Sequence, residues 1–484
     1  MTDTDAPTLV WLREDLRLAD NPALRAAADG DAPFLLLHVL DEAVPERWRM
    51  GGAQRWWLHH SLTALGEDVQ KAGGALVLRR GDPRVIVPGV AAKAGAAAVH
   101  WNRRYLSFER ETDDDVAEAL RAQDTSVETF AGSLLYEPGE ITTGSGTPYK
   151  VFSPFYKAMK AKGEPRAPLP RVTKMTAPRV VPDTDALGDW NLLPTRPNWA
   201  KGFEPVWTPG ERGALKRLRD WLGANAARYQ DERNRADLDT TSRLSPHLHF
   251  GEVSPVTVWH QVKERLAAGD IPDDQADGFL SEVAWRDFSY AVLAEFPQML
   301  SGPYDARFAR FQYDRPNGQL EAWRHGQTGY PIVDAGMRQL WQTGFMHNRV
   351  RMIAASFLTK DLLIDPNEGI DWFWDTLVCA DAANNTASWQ WVAGTGVDAS
   401  PYFRVFNPTA QGRKFDPDGA YVRRWVPELA GLPKKHVHEP WLAPKAALEK
   451  AGVTLGETYP HPIVDHAERR DEALARYQDI KAKA

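Results

Sequence analysis

The chain has 484 residues, enough for two or more domains with sizeable cores. Its 43% hydrophobic and 25% charged content is ordinary for a folded globular protein, and its formal charge of -7 excludes a generally basic nucleic-acid binder while allowing a local positive groove. The lone cysteine, Cys379, excludes an internal disulfide framework and an iron–sulfur cluster held by several cysteines.

The first part alternates short apolar runs with helical segments. Thr8–Leu12, Phe34–Val39, Ala75–Leu78 and Ala98–Trp101 read as buried strands, and Asn21–Ala28, Gln54–Ala72, Pro83–Ala94 and Arg110–Gln123 as helices. This alternation predicts a Rossmann-like α/β domain over residues 1–135, with a parallel sheet covered on both faces. No GxGxxG follows the first strand, and Gly51-Gly52 is too weak a substitute. From Gly163 to Gly210 proline recurs at 165, 168, 170, 178, 182, 194, 197, 205 and 209, which prevents sustained helix; 136–210 reads as an interdomain linker. Residues 211–484 read as a larger all-α domain, with Arg212–Tyr229, Pro255–Ala268, Gly278–Phe296, Asp334–Gln342 and Asn348–Leu363 the clearest helices. The N-terminus lacks a basic region followed by an apolar stretch, and no run is long enough to span a bilayer, so a cytoplasmic protein with no membrane partner is expected. The sequence gives no oligomer signal or metal site, and a monomer is the default.

Three runs concentrate chemistry. Thr241-Ser242-Arg243-Leu244-Ser245-Pro246 puts hydroxyls and amides before a helical run; alone it reads as an ordinary N-cap, and it can also bind phosphate. Glu282, Trp285 and Arg286 share one helix face. An isolated Glu–Arg pair at this spacing is usually a solvated ion pair, but the shared tryptophan suggests a partly buried pocket. Asp381 to Pro408 reads DAANNTASWQWVAGTGVDASPYFRVFNP, which sets amides and a carboxylate beside Trp389 and Trp391. Hydrophobic packing gives no reason for that mixture, whereas a site for a planar redox-active ring would need it.

With His347-Asn348-Arg349-Val350-Arg351-Met352, these motifs resemble the DNA photolyase/cryptochrome family over Val10 to about Pro408. They are most similar to cyclobutane pyrimidine dimer photolyases of the folate-antenna branch related to plant cryptochromes. The resemblance implies non-covalent FAD, its pyrophosphate gripped by Thr241, Ser242, Arg243, Leu244 and Ser245, with Tyr229 a further flavin contact. It also implies Asp381 near the isoalloxazine edge, Asn385 beside N5, and Arg286, Asn348 and Arg351 close to the cofactor. Glu282 would hydrogen-bond the damaged bases, Trp285 and Trp391 would wall the lesion, and Asn348 and Met352 would complete the catalytic set. Arg233, Arg286, Arg349 and Arg404 would contact DNA, and Trp389 would pass an electron to the flavin. Position 351 or 352 offers no second histidine, which favours dimer repair over (6-4) repair.

The N-terminal runs VWLREDLRLADNPAL, WNRRYLSFERE and YKVFSPF resemble the family's antenna domain. They imply a folate (methenyltetrahydrofolate) antenna near Trp48 and Glu109, with a deazaflavin or no antenna as the alternatives; Trp48 also reads as a loop anchor and Glu109 as a surface charge. Three positions depart from the family pattern. Cys379 replaces an aspartate that would pair with Arg351, while Pro366 and Tyr313 replace two tryptophans of the usual electron chain. Electrons are therefore expected to travel through Trp372, Trp374 or Trp341, or slowly. The function expected is a deoxyribodipyrimidine photolyase, a light-driven lyase acting on damaged DNA. The alternative is a cryptochrome-like blue-light receptor without repair; against it, the chain ends soon after Trp441, with no long tail. A single-strand-preferring relative is weakened by the HNRVRM run.

Overall fold

Short runs of apolar, β-favouring residues build the sheet. In the computed structural model, which describes residues 6–399 and 403–482, five strands pair in parallel: β1 (Thr8–Leu12), β2 (Phe34–Asp41), β3 (Leu76–Gly81), β4 (Ala98–Asn102) and β5 (Ser126–Phe130). Their order is β3-β2-β1-β4-β5, with Thr8 in register with both Phe34 and Ala98. The central strand β1 is buried on both faces, as continuous apolar runs in parallel sheets are. The helices are α1 (Pro22–Asp29), α2 (Gly52–Lys71), α3 (Pro83–Ala94), α4 (Ser107–Arg121), α5 (Phe152–Lys162), α6 (Glu211–Ala224), α7 (Tyr229–Glu232), α8 (Ser245–His249), α9 (Pro255–Ala267) and α10 (Asp273–Glu295). They continue as α11 (Gly318–Arg324), α12 (Pro331–Thr343), α13 (Asn348–Ser356), α14 (Pro366–Thr376), α15 (Ala382–Ala393), α16 (Pro408–Phe415), α17 (Ala420–Trp425), α18 (Lys445–Ala451) and α19 (His466–Ala482).

The chain folds into two compact units that interleave in sequence. The first comprises Met1–Asn198, Trp207–Ala227 and Ser242–Pro297; the second comprises Trp199–Val206, Arg228–Thr241 and Gln298–Ala484. In the first unit Leu9, Trp11, Leu37, Val77, Val99, Trp101, Val116 and Leu120 join sheet and helices in one core. The strand order reverses between β1 and β4, the position at which open α/β sheets form a crevice beyond their carboxyl ends. Arg17 is wholly buried there, and its guanidinium donates to the carbonyls of Asp20, Gly251 (2.9 Å) and Gly132 (2.7 Å). The stretch read as linker contains α5, because Pro154 falls in a first helical turn, where no backbone N–H is needed. From residue 163 to 210 the described regular structure is limited to short 3₁₀ turns, as the prolines dictate.

The second unit is all-helical. α12 is buried nearly all round and packs against α13, α16 and α17, which makes it the central helix. The run expected as one helix, Asn348–Leu363, divides: α13 ends at Ser356 and passes into a π turn, Phe357–Asp361. Among the described residues no helix is long and apolar enough to cross a membrane.

Candidate active site

In the first unit, the TSRLSP run forms a tight turn into α8. Arg243 has a φ of 52°, and Leu244 follows in the right-handed region. Alternation of left- and right-handed residues is the backbone geometry from which an anion-binding nest is built, and the Leu244 N–H here reaches Ser242 Oγ at 3.4 Å. α8 has only five residues, so the nest and not a long helix dipole is the feature suited to a phosphate. The turn is fixed from behind. Arg217 Nε donates to Ser242 O at 2.9 Å. His247 Nδ1 is bonded to the fully buried Glu252, which also accepts from Trp57 Nε1 (2.9 Å) and Gly210 N (2.7 Å).

Glu282, Trp285 and Arg286 lie together on α10, as their spacing predicts; Glu282 and Trp285 are half-buried and Arg286 is buried. Trp285 stacks face to face on Phe152 of α5, with ring centroids 3.8 Å apart and planes 10° apart, and meets Phe288 edge-on. Arg286 lies over the Tyr290 ring. The neighbouring Asp287 carboxylate accepts from Leu135 N (3.2 Å) and Tyr136 N (2.8 Å), and burial pushes its pKa up to about 7. Arg13, Arg104, Tyr105, Glu109, Arg286 and Tyr290 line a crevice beyond the ends of β1 and β4. Glu109 is buried and caps α4 through Leu106 N (3.3 Å); burial raises its carboxyl to about 7 against the pull of Arg104. Trp48 stacks on Phe108, one residue away, with planes 6° apart. The fold thus brings the two expected antenna residues to the first turn of α4, and Glu109 is a buried group there and not a surface charge.

In the second unit, Asn348, Arg349, Arg351 and Met352 open α13, with His347 as its N-cap: the ring Nδ1 accepts from Arg349 N at 3.2 Å. Asn348 is exposed, and the other three are half-buried. Asn234, in the loop after α7, accepts from Arg349 Nε (3.2 Å) and Nη2 (2.6 Å), and Arg349 Nη1 reaches Met352 Sδ at 3.5 Å. Tyr229 is buried beneath Arg233, whose guanidinium lies over its ring. Arg351 donates to Met346 O (2.7 Å) and to Cys379 Sγ (3.3 Å), so a thiol stands where a carboxylate would neutralise the guanidinium.

α15 and its N-cap carry the residues expected beside the flavin ring, Asp381, Asn385 and Trp389. Asp381 is its N-cap and accepts from Asn384 N at 2.8 Å; the side chain of Asn385 donates to Ile370 O at 3.1 Å. Trp389 is buried edge-on between Phe373 (5.0 Å) and Trp323 (6.4 Å), whereas Trp391 is half-buried. Gln390 secures the helix end, donating to Met299 O and Gly302 O and accepting from Tyr304 N. Trp372, half-buried, stacks on Trp341 at 6.0 Å and 9°; Trp341 is 48% exposed and also meets Trp199. Trp374, two residues after Trp372 on α14, is half-buried. Arg404 is exposed.

The sequence reading missed Phe152, Asn234, Trp323 and Gly369, which touch residues it had found; Gly369 of α14 lies against the Trp389 ring, with no room between them for a β-carbon. Phe152 is in the quoted YKVFSPF run, so its signal was present; the other three become visible only through contacts distant in sequence.

Residues 8–174 match the family model described as DNA photolyase, and residues 279–479 match the FAD binding domain of DNA photolyase. The chain belongs to the DNA photolyase family. This photolyase-family chain is 49% identical to the deoxyribodipyrimidine photo-lyase of Agrobacterium fabrum over 98% of each. It is 36% identical to cryptochrome-1 of Arabidopsis thaliana, over 98% of this chain and 71% of that one. Among solved structures, a bacterial class III photolyase from Agrobacterium tumefaciens superposes with a TM-score of 0.96 at 48% identity, covering 100% of this chain and 99% of that one.

Proposed function

We propose that this chain is a deoxyribodipyrimidine photolyase that binds FAD without a covalent bond and splits cyclobutane pyrimidine dimers in DNA under blue light. The observation that carries the reading is the exposure of four side chains. Glu282, Trp285, Met352 and Trp391 are each half-buried, neither lost in a core nor fully solvated, while the ring-side Asn385 and Trp389 are buried. Half-exposed aromatic faces suit an extruded, unstacked base pair, and photolyases are among the enzymes that take their target out of the duplex. Aromatic stacking replaces lost base stacking at roughly 1–3 kcal/mol per base. Named relatives support repair over signalling, since a deoxyribodipyrimidine photo-lyase is 49% identical and a plant cryptochrome 36%.

The residues fit the cofactor. The Arg243-Leu244 nest, flanked by Thr241, Ser242 and Ser245, offers N–H groups and hydroxyls to a pyrophosphate. Tyr229, Asn348, Arg351, Asp381 and Asn385 would hold the ring end, with Arg286 a further contact. When bound in its reduced form, FAD supplies the photo-excited electron that opens the cyclobutane ring and recovers it afterwards. Cys379 leaves Arg351 without a neutralising carboxylate, and the remaining positive charge favours electron density on a nearby ring. Glu282 would hydrogen-bond the lesion, and Arg233, Arg349 and Arg404 would neutralise phosphates, which predicts salt-sensitive binding. Flavin photoreduction would enter at Trp389 and draw on Trp372, Trp341 or Trp374. Stacking of Trp372 on the exposed Trp341 supports the first two as an outlet. A folate antenna is supported by the Trp48–Phe108 stack and by the buried Glu109 beside it. The enzyme would act as a monomer in the cytoplasm.

The test is to reduce the purified protein, mix it with duplex DNA carrying one thymine dimer and illuminate with blue light. Loss of the lesion in light but not in darkness, abolished by Trp391→Ala, establishes the function. Tight flavin binding without repair refutes it.

A further inference from the structure

Lysine is almost never fully buried unless its charge is paired, yet Lys360 is 1% exposed. Its Nζ reaches two main-chain carbonyls, Val392 O at 2.7 Å and Arg404 O at 2.6 Å, and lies 4.4 Å from the Phe403 ring centroid. Val392 immediately follows Trp391 in the last turn of α15, where carbonyls have no partner within the helix. A cation there also opposes the negative end of the helix dipole. We propose that Lys360 is a positioning residue for lesion binding: its ammonium ties the end of the helix that carries Trp389 and Trp391 to the segment that presents Arg404. This rests on the reading of Trp391 and Arg404 as lesion and DNA contacts.

The surroundings are built to hold that clasp. Lys360 lies in the π turn Phe357–Asp361, a widened turn of the kind found at functional sites. Asp361, fully buried, is held by His466 Nδ1 at 2.5 Å, and its carbonyl accepts from Arg469 Nε at 2.7 Å; both partners belong to α19. From the same helix Tyr477 stacks on Phe403 with centroids 4.6 Å apart and planes 11° apart. The C-terminal helix therefore braces both the lysine and the segment it grips. Burial pulls the Lys360 ammonium down to about 7, with Asp361 opposing and Arg404 adding to the shift. A neutral amine still has two N–H donors, so the clasp survives deprotonation. Stability alone gives no reason for this arrangement, because an apolar side chain of similar volume usually serves a core as well as a buried charge does. The lysine joins the end of the helix that carries Trp391 to the segment that carries Arg404.

The experiment compares the parent with Lys360→Met as full-length, FAD-loaded proteins. Expected for K360M are an unchanged flavin content, weaker binding of thymine-dimer duplex by about tenfold or more, and a splitting yield per bound lesion within about twofold of the parent. Trypsin should also cut after Arg404 faster in K360M. Lesion binding within about twofold of the parent overturns the proposal. Because loss of a buried cation can unfold a chain, Lys360→Arg is measured beside it, keeping a cation with several donors. K360R binding within about threefold of the parent supports the role; a folded, FAD-loaded K360R that still loses about tenfold overturns it. Trp391→Ala separates the two readings: if W391A binds lesion duplex like the parent, the lesion pocket is misassigned, whatever K360M does.

Discussion

Gly369 lies within α14, and a β-carbon there would stand 2.0 Å from Cη2 of Trp389 and 2.5 Å from Cζ2. Two effects of opposite sign meet in Gly369→Ala. Helix propensity alone favours alanine by about 1 kcal/mol. Overpacking a closed core costs about 1–3 kcal/mol, occasionally more. Carbon atoms in contact settle at about 3.5–4.0 Å, so the ring would have to retreat by on the order of 1.5 Å. It has little room, because Trp389 is 2% exposed and wedged by Phe373 and Trp323. The clash should win, leaving G369A destabilised by about 2 kcal/mol net. Denaturant unfolding followed by tryptophan fluorescence measures this, and flavin photoreduction in the same samples should slow as the ring moves. Gly369→Ala combined with Trp389→Phe, which removes the crowding ring atoms, should recover most of the loss relative to W389F. A G369A protein as stable as the parent, or a double variant as impaired as the sum of its parts, refutes the reasoning.

Phe152→Leu leaves a smaller apolar side chain behind Trp285 and removes a stack worth about 0.5–1.5 kcal/mol, so affinity for lesion duplex should fall by about twofold to tenfold; unchanged affinity would show the stack to be packing only. Trp372→Phe and Trp341→Phe should each slow flavin photoreduction while leaving repair by pre-reduced enzyme intact, and parental photoreduction rates in both would exclude that outlet. Asp287, raised to about 7 in the folded chain, binds its proton more tightly there than when unfolded. Its protonation stabilises the fold fully below about pH 4, and that contribution is lost as pH rises through about 7. The melting temperature of the parent relative to Asp287→Asn should therefore drop between about pH 4 and 7; a flat difference would refute the shift.

Four of the five strands were legible because each contains a mostly apolar run. β5 was not: Ser126–Phe130 is an edge strand that pairs with β4 alone and leaves Ser126, Glu128 and Thr129 in solvent. The break of α13 at Ser356 was hidden because the π turn uses the same helix-forming residues as the turns before it. The run Arg212–Tyr229 divides for a visible reason, since Asn225 leaves helical geometry at a φ of -127°. Within the candidate site, residues on one helix were read together correctly, as with Glu282, Trp285 and Arg286. Asn234 and Arg349 are 115 positions apart, and Lys360 meets carbonyls 32 and 44 residues away. Backbone acceptors carry no sequence identity, so nothing in the residue pattern marks a lysine that uses them.

The Arg17 bonds have a consequence for synthesis. As the chain leaves the ribosome, this guanidinium needs a carbonyl at Gly251, 234 residues downstream, before its burial is fully compensated. Until then one of its N–H groups is left to water. The α/β layer is thus a structure that begins first and finishes late, dependent on α8 to α10 for its last internal hydrogen bonds. A nascent chain stalled before Gly251 should remain open to protease near Arg17, and should close once α8 to α10 have followed.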